Sequence, residues 1–142
     1  MTSTSMSLDD TFSLPLGVVN RTDFVKFAGA GGDFNPIHHD DEFARASGFP
    51  SVFAMGMLTA SLASRLLTER FALASIRTYE VRFRSMVWPG ENLVAKGRIA
   101  DRFELNGEAL VRITFEVLSG DGEVKITGSA EVREDIKGVI RD

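Results

Sequence analysis

Residues 57–67 form the stretch MLTASLASRLL, which is apolar and has helical spacing. Leu58, Leu62 and Leu66 recur every four residues, and most positions between them are alanine or serine. No charge occurs before Arg65. A helix that is apolar or small around most of its circumference is buried on several sides. We therefore expect this helix to lie in the centre of the fold, close against a sheet.

The part of the chain after this helix has the two-residue alternation of β-strands. In residues 78–85, Tyr79, Val81 and Phe83 alternate with charged residues, a pattern typical of a half-buried antiparallel strand. Similar patterns follow at 93–99, 111–117 and 124–132, with turn sequences at 88–90, 105–107 and 119–122. Four consecutive strands predict a meander. The predicted fold class is α+β, with the central helix covering one face of the sheet.

The first half of the chain carries two shorter helix patterns. Thr22 is the predicted N-cap of a helix over residues 23–28, which is ended by the glycines that follow it. A second helix is predicted from Asp40 to Ala46, with Gly48 as its C-terminal stop. All predicted helices thus precede the predicted strands.

Composition limits the classes of function. The 142 residues suit one domain, predicted at 11–135 between a disordered lead at 1–10 and a tail at 136–142. A net charge of −4 gives no electrostatic reason to expect nucleic acid as a partner. Cysteine is absent, which excludes disulfides, and no apolar run has the roughly 20 residues of a membrane helix. The N-terminus lacks the features of a signal peptide, so we expect a cytoplasmic protein.

Residues 31–41, GGDFNPIHHDD, concentrate turn-forming and titratable side chains. Asn35, followed by proline, favours a turn or a helix start, and Asp40 can cap the next helix. Capping alone accounts for these two residues. Asp33 and His38 lie on opposite sides of the turn, where a carboxylate and an imidazole can converge on one water and exchange its protons near neutral pH. An acid/base pair and a turn without chemical function both stay open at this point.

The same segment also offers ligands for a metal ion. His38 and His39 are adjacent, however, and adjacent histidines rarely reach one ion. Neither an HxH nor an HExxH spacing occurs. We therefore expect no metal here, and we expect His39 to be a neighbour rather than a ligand. A serine nucleophile is also disfavoured, because no GxSxG sequence is present.

Residues 53–57, FAMGM, lead directly into the central helix. Glycine at a helix N-terminus allows close approach, and the free N–H groups there favour an anion or a polarised carbonyl group. Gly56 is therefore either a tight entry into the helix or a donor to an oxyanion. An acid/base pair upstream favours the donor.

Together these segments resemble the MaoC-like dehydratases, which include the (R)-specific enoyl-CoA hydratases and the (3R)-hydroxyacyl-ACP dehydratases. The resemblance extends over residues 20–132. It is carried by DFNPIH at 33–38, AMGML at 54–58, YEVRF at 79–83 and VWPGE at 87–91. The first of these motifs is the most specific.

The resemblance implies a hot-dog fold, an antiparallel sheet wrapped around one long helix, and an enzyme of acyl thioester and fatty acid metabolism. In the family, the Asp and His of the motif activate the water that adds to a trans-2-enoyl thioester. The reverse reaction removes water from a (3R)-hydroxyacyl thioester. The implied catalytic residues are Asp33 and His38, with the Gly56 N–H polarising the thioester carbonyl. No cofactor is implied. The implied partners are an acyl-CoA or acyl-ACP substrate and a second hot-dog subunit, in a homodimer or a heterodimer.

Four further residues are assigned to substrate binding. By resemblance, Asn35 shapes the loop and Ser64 supports the site from within the helix. Phe53 either lines an acyl tunnel or packs in the core. Met55 stands where the family usually has His, a departure that bears on substrate choice.

Two other functions stay open. A hot-dog thioesterase hydrolyses the thioester with a carboxylate and a water, but it gives no reason for Asp33 and His38 in this motif. A non-catalytic subunit only completes the acyl pocket of a heterodimer, and such a subunit can lose both residues at no cost to binding.

Overall fold

The computed structural model describes residues 7–134, so residues 1–6 and the tail predicted at 136–142 lie outside the described part. The elements, in chain order, are β1 (Thr11–Val19), α1 (Arg21–Gly31), a 3₁₀ turn (Pro36–His38), α2 (Asp41–Ala46), α3 (Gly56–Thr68), a second 3₁₀ turn (Leu73–Ser75), β2 (Ile76–Phe83), β3 (Glu91–Leu105), β4 (Glu108–Ser119) and β5 (Val124–Arg133). The central helix expected from the sequence is α3, and Asp40 caps α2 as predicted. Within residues 7–134, none of the helices has the length and hydropathy of a membrane span.

The five strands within residues 7–134 belong to one antiparallel sheet, in the order β1-β3-β4-β5-β2. The predicted meander is correct for β3, β4 and β5 only. β2 lies at the far edge, where it pairs with β5 instead of with the next strand in sequence. The prediction of four consecutive strands in a meander is therefore wrong for its first strand. β1, which the sequence analysis did not predict, forms the opposite edge by pairing with β3.

The sheet curves around α3 and contacts it near both edges. On β3, a Cβ at Gly97 would lie only 3.0 Å from Leu66 Cδ2, so the helix packs closely against this strand. On β2, the Tyr79 hydroxyl donates to the Ala60 carbonyl of α3 at 2.6 Å. The helix buries side chains on several faces, at Leu58, Thr59, Ala60, Ala63, Leu66 and Leu67. This is the predicted arrangement of a sheet wrapped around one helix.

Helix α1 begins earlier than predicted. Its N-cap is Asn20 rather than Thr22, because Asn20 Oδ1 accepts the Asp23 N–H at 3.2 Å. The Asp23 carboxylate in turn accepts the Asn20 N–H at 2.8 Å. This reciprocal pair is a capping box, which fixes the start of the helix. The helix ends at Gly31 and is capped by Gly32, whose φ of 74° is a conformation that favours glycine.

Residues 7–10 belong to the fold, although the sequence predicted a disordered lead over 1–10. The Asp9 N–H donates to the Ile99 carbonyl at 2.9 Å. The Asp9 carboxylate also pairs with Arg98 at 2.6 Å. These contacts attach the residues before β1 to β3, so the prediction is corrected for residues 7–10.

Tyr79 is the only tyrosine of the chain, and its half-buried ring stacks on Phe115 at a centroid distance of 5.6 Å. Burial raises the pKa of the Tyr79 phenol from 10.0 to about 12, because ionisation would place a charge away from water. The neutral phenol of Tyr79 therefore contributes fully to folding stability below pH 10. This contribution is lost as the pH rises towards about 12.

We expect the ultraviolet absorbance of the phenolate to titrate near pH 12 in the folded protein and near pH 10 in urea. The variant Tyr79→Phe supplies the blank for this titration. A midpoint near 10 under both conditions would contradict the packing of this ring.

Candidate active site

Two caps hold the polar segment that follows α1. Asn35 Oδ1 accepts the Ile37 N–H at 3.1 Å, at the start of the first 3₁₀ turn. Asp40 Oδ1 accepts two N–H groups in the first turn of α2, at 3.0 and 3.1 Å. With Pro36 at the first position of the 3₁₀ turn, these bonds fix the backbone on both sides of His38.

Asp33 and His38 face each other at this turn. His38 Nε2 lies 3.6 Å from Asp33 Oδ2. On the other side of the ring, His38 Nδ1 lies 2.8 Å from the Phe53 carbonyl oxygen. A carbonyl oxygen only accepts hydrogen bonds, so Nδ1 carries the hydrogen and donates it. Nε2 of the neutral ring is then an acceptor that faces the carboxylate.

The space between Asp33 and His38 suits a water molecule. At 3.6 Å, Oδ2 and Nε2 are too far apart for a direct hydrogen bond. Both atoms are acceptors when the ring is neutral, and a water oxygen about 2.8 Å from each can donate one O–H to each. The Asp33 side chain is 45% exposed and the His38 side chain 11%, so water reaches the pair from the Asp33 side. The pair can therefore orient a water and accept its proton.

His39 contacts the backbone of the loop. Its Nε2 lies 3.3 Å from the Phe34 carbonyl oxygen, and the residue is exposed. In the described part of the chain, no group of three or more histidine, aspartate or glutamate side chains is placed to hold a metal ion.

The segment before α3 is tied to the loop after β2, where the Ala54 N–H donates to the Val87 carbonyl at 2.9 Å. α3 then begins at Gly56 without a side-chain cap. Among residues 7–134, the Gly56 N–H has no backbone or capping partner. This N–H at the positive end of the helix dipole can therefore donate to a ligand oxygen. A Cβ at Gly56 would lie 2.9 Å from Phe83 Cε1, so glycine lets the helix start this close to β2.

A cavity of about 310 Å³ opens beside the start of α3. Its walls are mainly apolar, which suits an apolar ligand. They come from the segment before α3 and its first turn, the end of β2, the loop after β2, and β5: Phe53, Ala54, Gly56, Thr59, Phe83, Arg84, Ser85, Met86, Val87 and Ile126. Asp33 and His38 do not line the cavity. Phe53 connects the two places, because it lines the cavity and its ring lies edge-on to His38 at 5.3 Å.

Of the four residues assigned to substrate binding, Phe53 lines this cavity, and Asn35, Met55 and Ser64 do not. Met55 is 1% exposed and packs in the core. Ser64 Oγ donates to the Ser61 carbonyl at 2.7 Å. Ser64 lies about 12 Å further along the helix than Gly56. The chain brings neither Met55 nor Ser64 to the cavity, whereas Phe53 lines it.

The sequence analysis did not single out two buried residues near the site. Thr59 is 3% exposed and lines the cavity one turn after Gly56. Lys125 is fully buried, and its Nζ pairs with Glu91 and Glu123 at 3.0 and 2.9 Å. Burial acts to lower the pKa of the Lys125 ammonium, but its hydrogen bonds to Glu123 and Glu91 outweigh burial and raise that pKa. Strand alternation gave no signal for Lys125, because it assigned this residue to the polar face.

The fold and sequence are similar to those of known hydratases and dehydratases. The family model described as "MaoC like domain" matches residues 4–121. The mitochondrial 3-hydroxyacyl-[acyl-carrier-protein] dehydratase FERN of Solanum lycopersicum is 28% identical over 98 residues, which cover 69% of this chain and 59% of the relative. The peroxisomal enoyl-CoA hydratase 2 of Arabidopsis thaliana is 34% identical over 68 residues, which cover 46% of this chain and 22% of the relative. The chain thus spans less than two thirds of either relative.

Among solved structures, the (R)-hydratase from A. caviae involved in PHA biosynthesis has a TM-score of 0.77 and 25% identity to this chain. The likeness covers 92% of this chain and 98% of that one. This nearly complete overlap confirms the hot-dog fold expected from the sequence.

Proposed function

The chain belongs to the MaoC-like domain family, and from this premise we propose that it is an (R)-specific hydratase and dehydratase. It interconverts trans-2-enoyl and (3R)-3-hydroxyacyl thioesters carried by CoA or by acyl carrier protein. The similarity to proteins named 3-hydroxyacyl-ACP dehydratase and enoyl-CoA hydratase supports this reaction class. The chain covers only 59% and 22% of the length of those relatives.

The orientation of His38 is the observation that carries the proposal. The Phe53 carbonyl occupies Nδ1 at 2.8 Å, which leaves Nε2 as the acceptor. Nε2 and Asp33 Oδ2 are separated by 3.6 Å, so one water can bridge them. A hydratase needs a water whose oxygen lone pair is free and whose two hydrogens are held, and this pair supplies both acceptors.

The addition of water then proceeds in two balanced steps. The water oxygen forms a bond to the β-carbon of the enoyl thioester while His38 Nε2 takes one of its protons. The π electrons of the C=C bond move to the thioester oxygen and give an enolate. The enolate then returns its electron pair to the α-carbon, which takes the proton from the imidazolium of His38. Asp33 holds the second O–H of the water and stabilises the imidazolium. Dehydration is the reverse.

The Gly56 N–H is the proposed donor to the thioester oxygen. Negative charge grows on that oxygen as the enolate forms, so a fixed N–H at a helix start stabilises the transition state more than the substrate. The mainly apolar cavity beside Gly56 supports binding of the acyl chain at this point.

A second hot-dog subunit is the proposed protein partner. Large apolar side chains beside the cavity are exposed in the single chain, with Met57 60%, Phe83 54% and Met86 37% exposed. A cluster of this kind next to a binding site is typical of an interface. Pairing of the chain with itself or with a related subunit would cover these residues.

The proposal is tested by the absorbance of crotonyl-CoA and by the products formed. We expect the purified chain to consume the enoyl absorbance and to yield only the (3R)-3-hydroxy product. Release of free CoA would identify a thioesterase instead. If neither reaction occurs with short and long enoyl thioesters on CoA and ACP, the chain acts as a non-catalytic subunit.

The fit of Gly56 against Phe83 yields a prediction for the proposed donor. In Gly56→Ala, the new Cβ would lie 2.9 Å from Phe83 Cε1, so the helix start or the exposed ring must shift. We expect kcat/KM to fall about tenfold, which corresponds to roughly 1.4 kcal/mol of lost transition-state stabilisation.

The double variant Gly56→Ala with Phe83→Ala removes the clash, so its activity should equal that of Phe83→Ala alone. A further tenfold loss in the double variant would show that the effect of Gly56→Ala does not come from contact with Phe83.

A further inference from the structure

One lysine side chain is completely buried beside the candidate site. Lys125 is 0% exposed, and its Nζ donates to the Met86 carbonyl at 2.9 Å. The same ammonium pairs with Glu91 Oε1 at 3.0 Å and with Glu123 Oε2 at 2.9 Å. Three acceptors thus match the three hydrogens of the ammonium group. We call Lys125, Glu91 and Glu123 the clasp.

A β-bulge directs this lysine inwards. In the pairing of β4 with β5, Val117 lies opposite Ile126, and Leu118 lies opposite Val124. Lys125 between them has no partner across the ladder. A bulge re-aims the side chain of its extra residue. Lys125 therefore leaves the polar face, where strand alternation would put it.

Both ends of Lys125 hold the loop at residues 84–88. Its carbonyl accepts the N–H of Arg84 at 2.9 Å and the N–H of Ser85 at 3.3 Å. Its ammonium donates to the carbonyl of Met86, the next residue of the loop. The loop is thus attached to β5 at successive positions through this one residue.

The loop in turn supports the segment before α3. Glu91 of the clasp accepts the Trp88 N–H through Oε2 at 2.9 Å. The Val87 carbonyl accepts the Ala54 N–H at 2.9 Å. The ring of Trp88 lies edge-on to the ring of Phe53, at a centroid distance of 5.9 Å. Backbone and side-chain contacts therefore connect the clasp to Phe53, whose carbonyl binds the imidazole of the proposed catalytic pair.

We propose that Lys125 is a positioning residue for His38. Through the clasp it fixes the loop at residues 84–88, and the loop holds the Phe53 carbonyl against Nδ1. The buried ammonium of Lys125 on β5 thereby maintains the His38 tautomer in which Nε2 is an acceptor that faces Asp33. The effect of Lys125 on the tautomer is independent of the proposed function. Its expected effect on kcat rests on that function.

The Asp33 carboxylate makes this support necessary. A carboxylate beside Nε2 favours a hydrogen on Nε2, which is the opposite tautomer. The Phe53 carbonyl must therefore stay within hydrogen-bond distance of Nδ1 to keep the tautomer that the proposed reaction needs. Stability alone is a weak explanation for the clasp, because replacing all members of a buried ion pair by apolar residues of similar volume is often neutral or stabilising.

The tautomer can be measured directly by ¹⁵N NMR. The chain has 2 histidines, so His39→Gln leaves His38 as the only imidazole. At a pH where the ring is neutral, we expect predominantly Nδ1–H in this background. Adding Lys125→Met should produce a mixture with a large Nε2–H fraction. We expect kcat to fall about tenfold with KM changed less than about twofold, because the lost interaction orients a catalytic group.

Three further variants separate positioning from general stability. Lys125→Arg retains the charge and should restore most of the Nδ1–H tautomer. Glu123→Gln weakens the clasp but leaves the Lys125–Glu91 pair in place, so it should change the tautomer less than Lys125→Met does. Ile113→Val, at a fully buried position on β4, lowers stability without touching the clasp and should leave the tautomer unchanged.

The inference is overturned if Lys125→Met keeps the tautomer of the parent protein, or if Ile113→Val shifts it equally. If Lys125→Met does not fold, the tautomer is measured in Glu91→Gln instead, because this variant removes the carboxylate that joins Lys125 to Trp88. An unshifted tautomer in Glu91→Gln then overturns the inference. A tautomer shift in a protein without hydratase activity would support the positioning role and reject the proposed function. Hydratase activity of the parent protein, together with an unshifted tautomer in Lys125→Met, would support the proposed function and reject the positioning role.

Discussion

Asp33→Asn is expected to lower the turnover of crotonyl-CoA by about 10²–10⁴-fold while the fold is retained. The amide keeps the shape of the side chain but carries no charge. It therefore holds the water less firmly and does not stabilise the imidazolium of His38. Because the Asp33 side chain is 45% exposed, its substitution should leave the thermal midpoint nearly unchanged. Steady-state kinetics and a thermal scan on the same preparation check both statements.

His38→Gln should cause a loss of similar size, since it removes the group that takes and returns the proton in the proposed mechanism. In the proposed mechanism the two residues act on one water, so the double variant should be little slower than either single variant. Losses that multiply would show that Asp33 and His38 work independently, which contradicts the proposed mechanism.

Asp40→Asn is the matched control for Asp33→Asn. It makes the same chemical change seven positions away in the same polar segment. Asp40 caps α2, and asparagine caps helices as well as aspartate does. Activity within about twofold of the parent protein is expected, and a large loss would indicate that any charge change in this segment is damaging.

Gly128→Ala is expected to destabilise the fold by about 3 kcal/mol. Gly128 lies on β5 between Val81 of β2 and Phe115 of β4. A Cβ there would overlap the Phe115 ring and lie 2.6 Å from the Glu80 carbonyl oxygen. Phe115 is 5% exposed, and the carbonyl belongs to the paired backbone of β2, so neither can move away freely.

Thermal and urea unfolding measure this effect, and the midpoint should fall by roughly 10 °C. Gly29→Ala is the control, because a Cβ at Gly29 meets no atom within 4 Å and the residue lies in helix α1. That substitution should stabilise the protein by about 0.5–1 kcal/mol. Equal stability of Gly128→Ala and the parent protein would mean that β2 and Phe115 can move to accommodate the new Cβ at little cost.

The central helix and the hairpins were predictable because their signals are local. The four-residue repeat of leucines marked α3. Asn106-Gly107 marked the turn between β3 and β4, where both residues have positive φ, 51° and 79°. Such a pair suits the right-handed twist of the strands that it joins.

β1 was not predicted because its alternation is broken. Pro15 and Gly17 lie inside the strand, and the pairing with β3 shifts register between them. Proline and glycine inside a strand pattern argue against a strand, and they are tolerated here because β1 is an edge and carries a bulge.

The position of β2 was not predictable from alternation either. Its apolar and charged residues alternate in the same way whether it pairs with β3 or with β5. The choice depends on the long-range closure of the sheet around α3, which no local pattern contains. The same holds for Lys125, whose burial depends on a bulge set by the register of β4.

For the site, sequence reasoning identified the residues that lie together but not what holds them. Asp33 and His38 were predicted as a pair, and the structure puts their side chains 3.6 Å apart. The Phe53 carbonyl that orients the ring belongs to a segment fifteen positions away from His38. Every residue has a backbone carbonyl, so the residue type at position 53 does not indicate that its carbonyl accepts a hydrogen bond from His38. The catalytic roles of Asp33, His38 and Gly56, the dimer and the cytoplasmic location stay predictions.

The two edges of the sheet also determine the order in which the chain folds. β3, β4 and β5 join through short turns, whereas Thr11 of β1 must find Arg98, and Val81 of β2 must find Gly128. Closing long loops costs entropy before their contacts form, so both edges should join late. In pulse-labelled hydrogen exchange, amides of β1 and β2 would then gain protection last. Until they do, part of the apolar surface of α3 should be exposed to solvent, which favours aggregation of the incompletely folded chain.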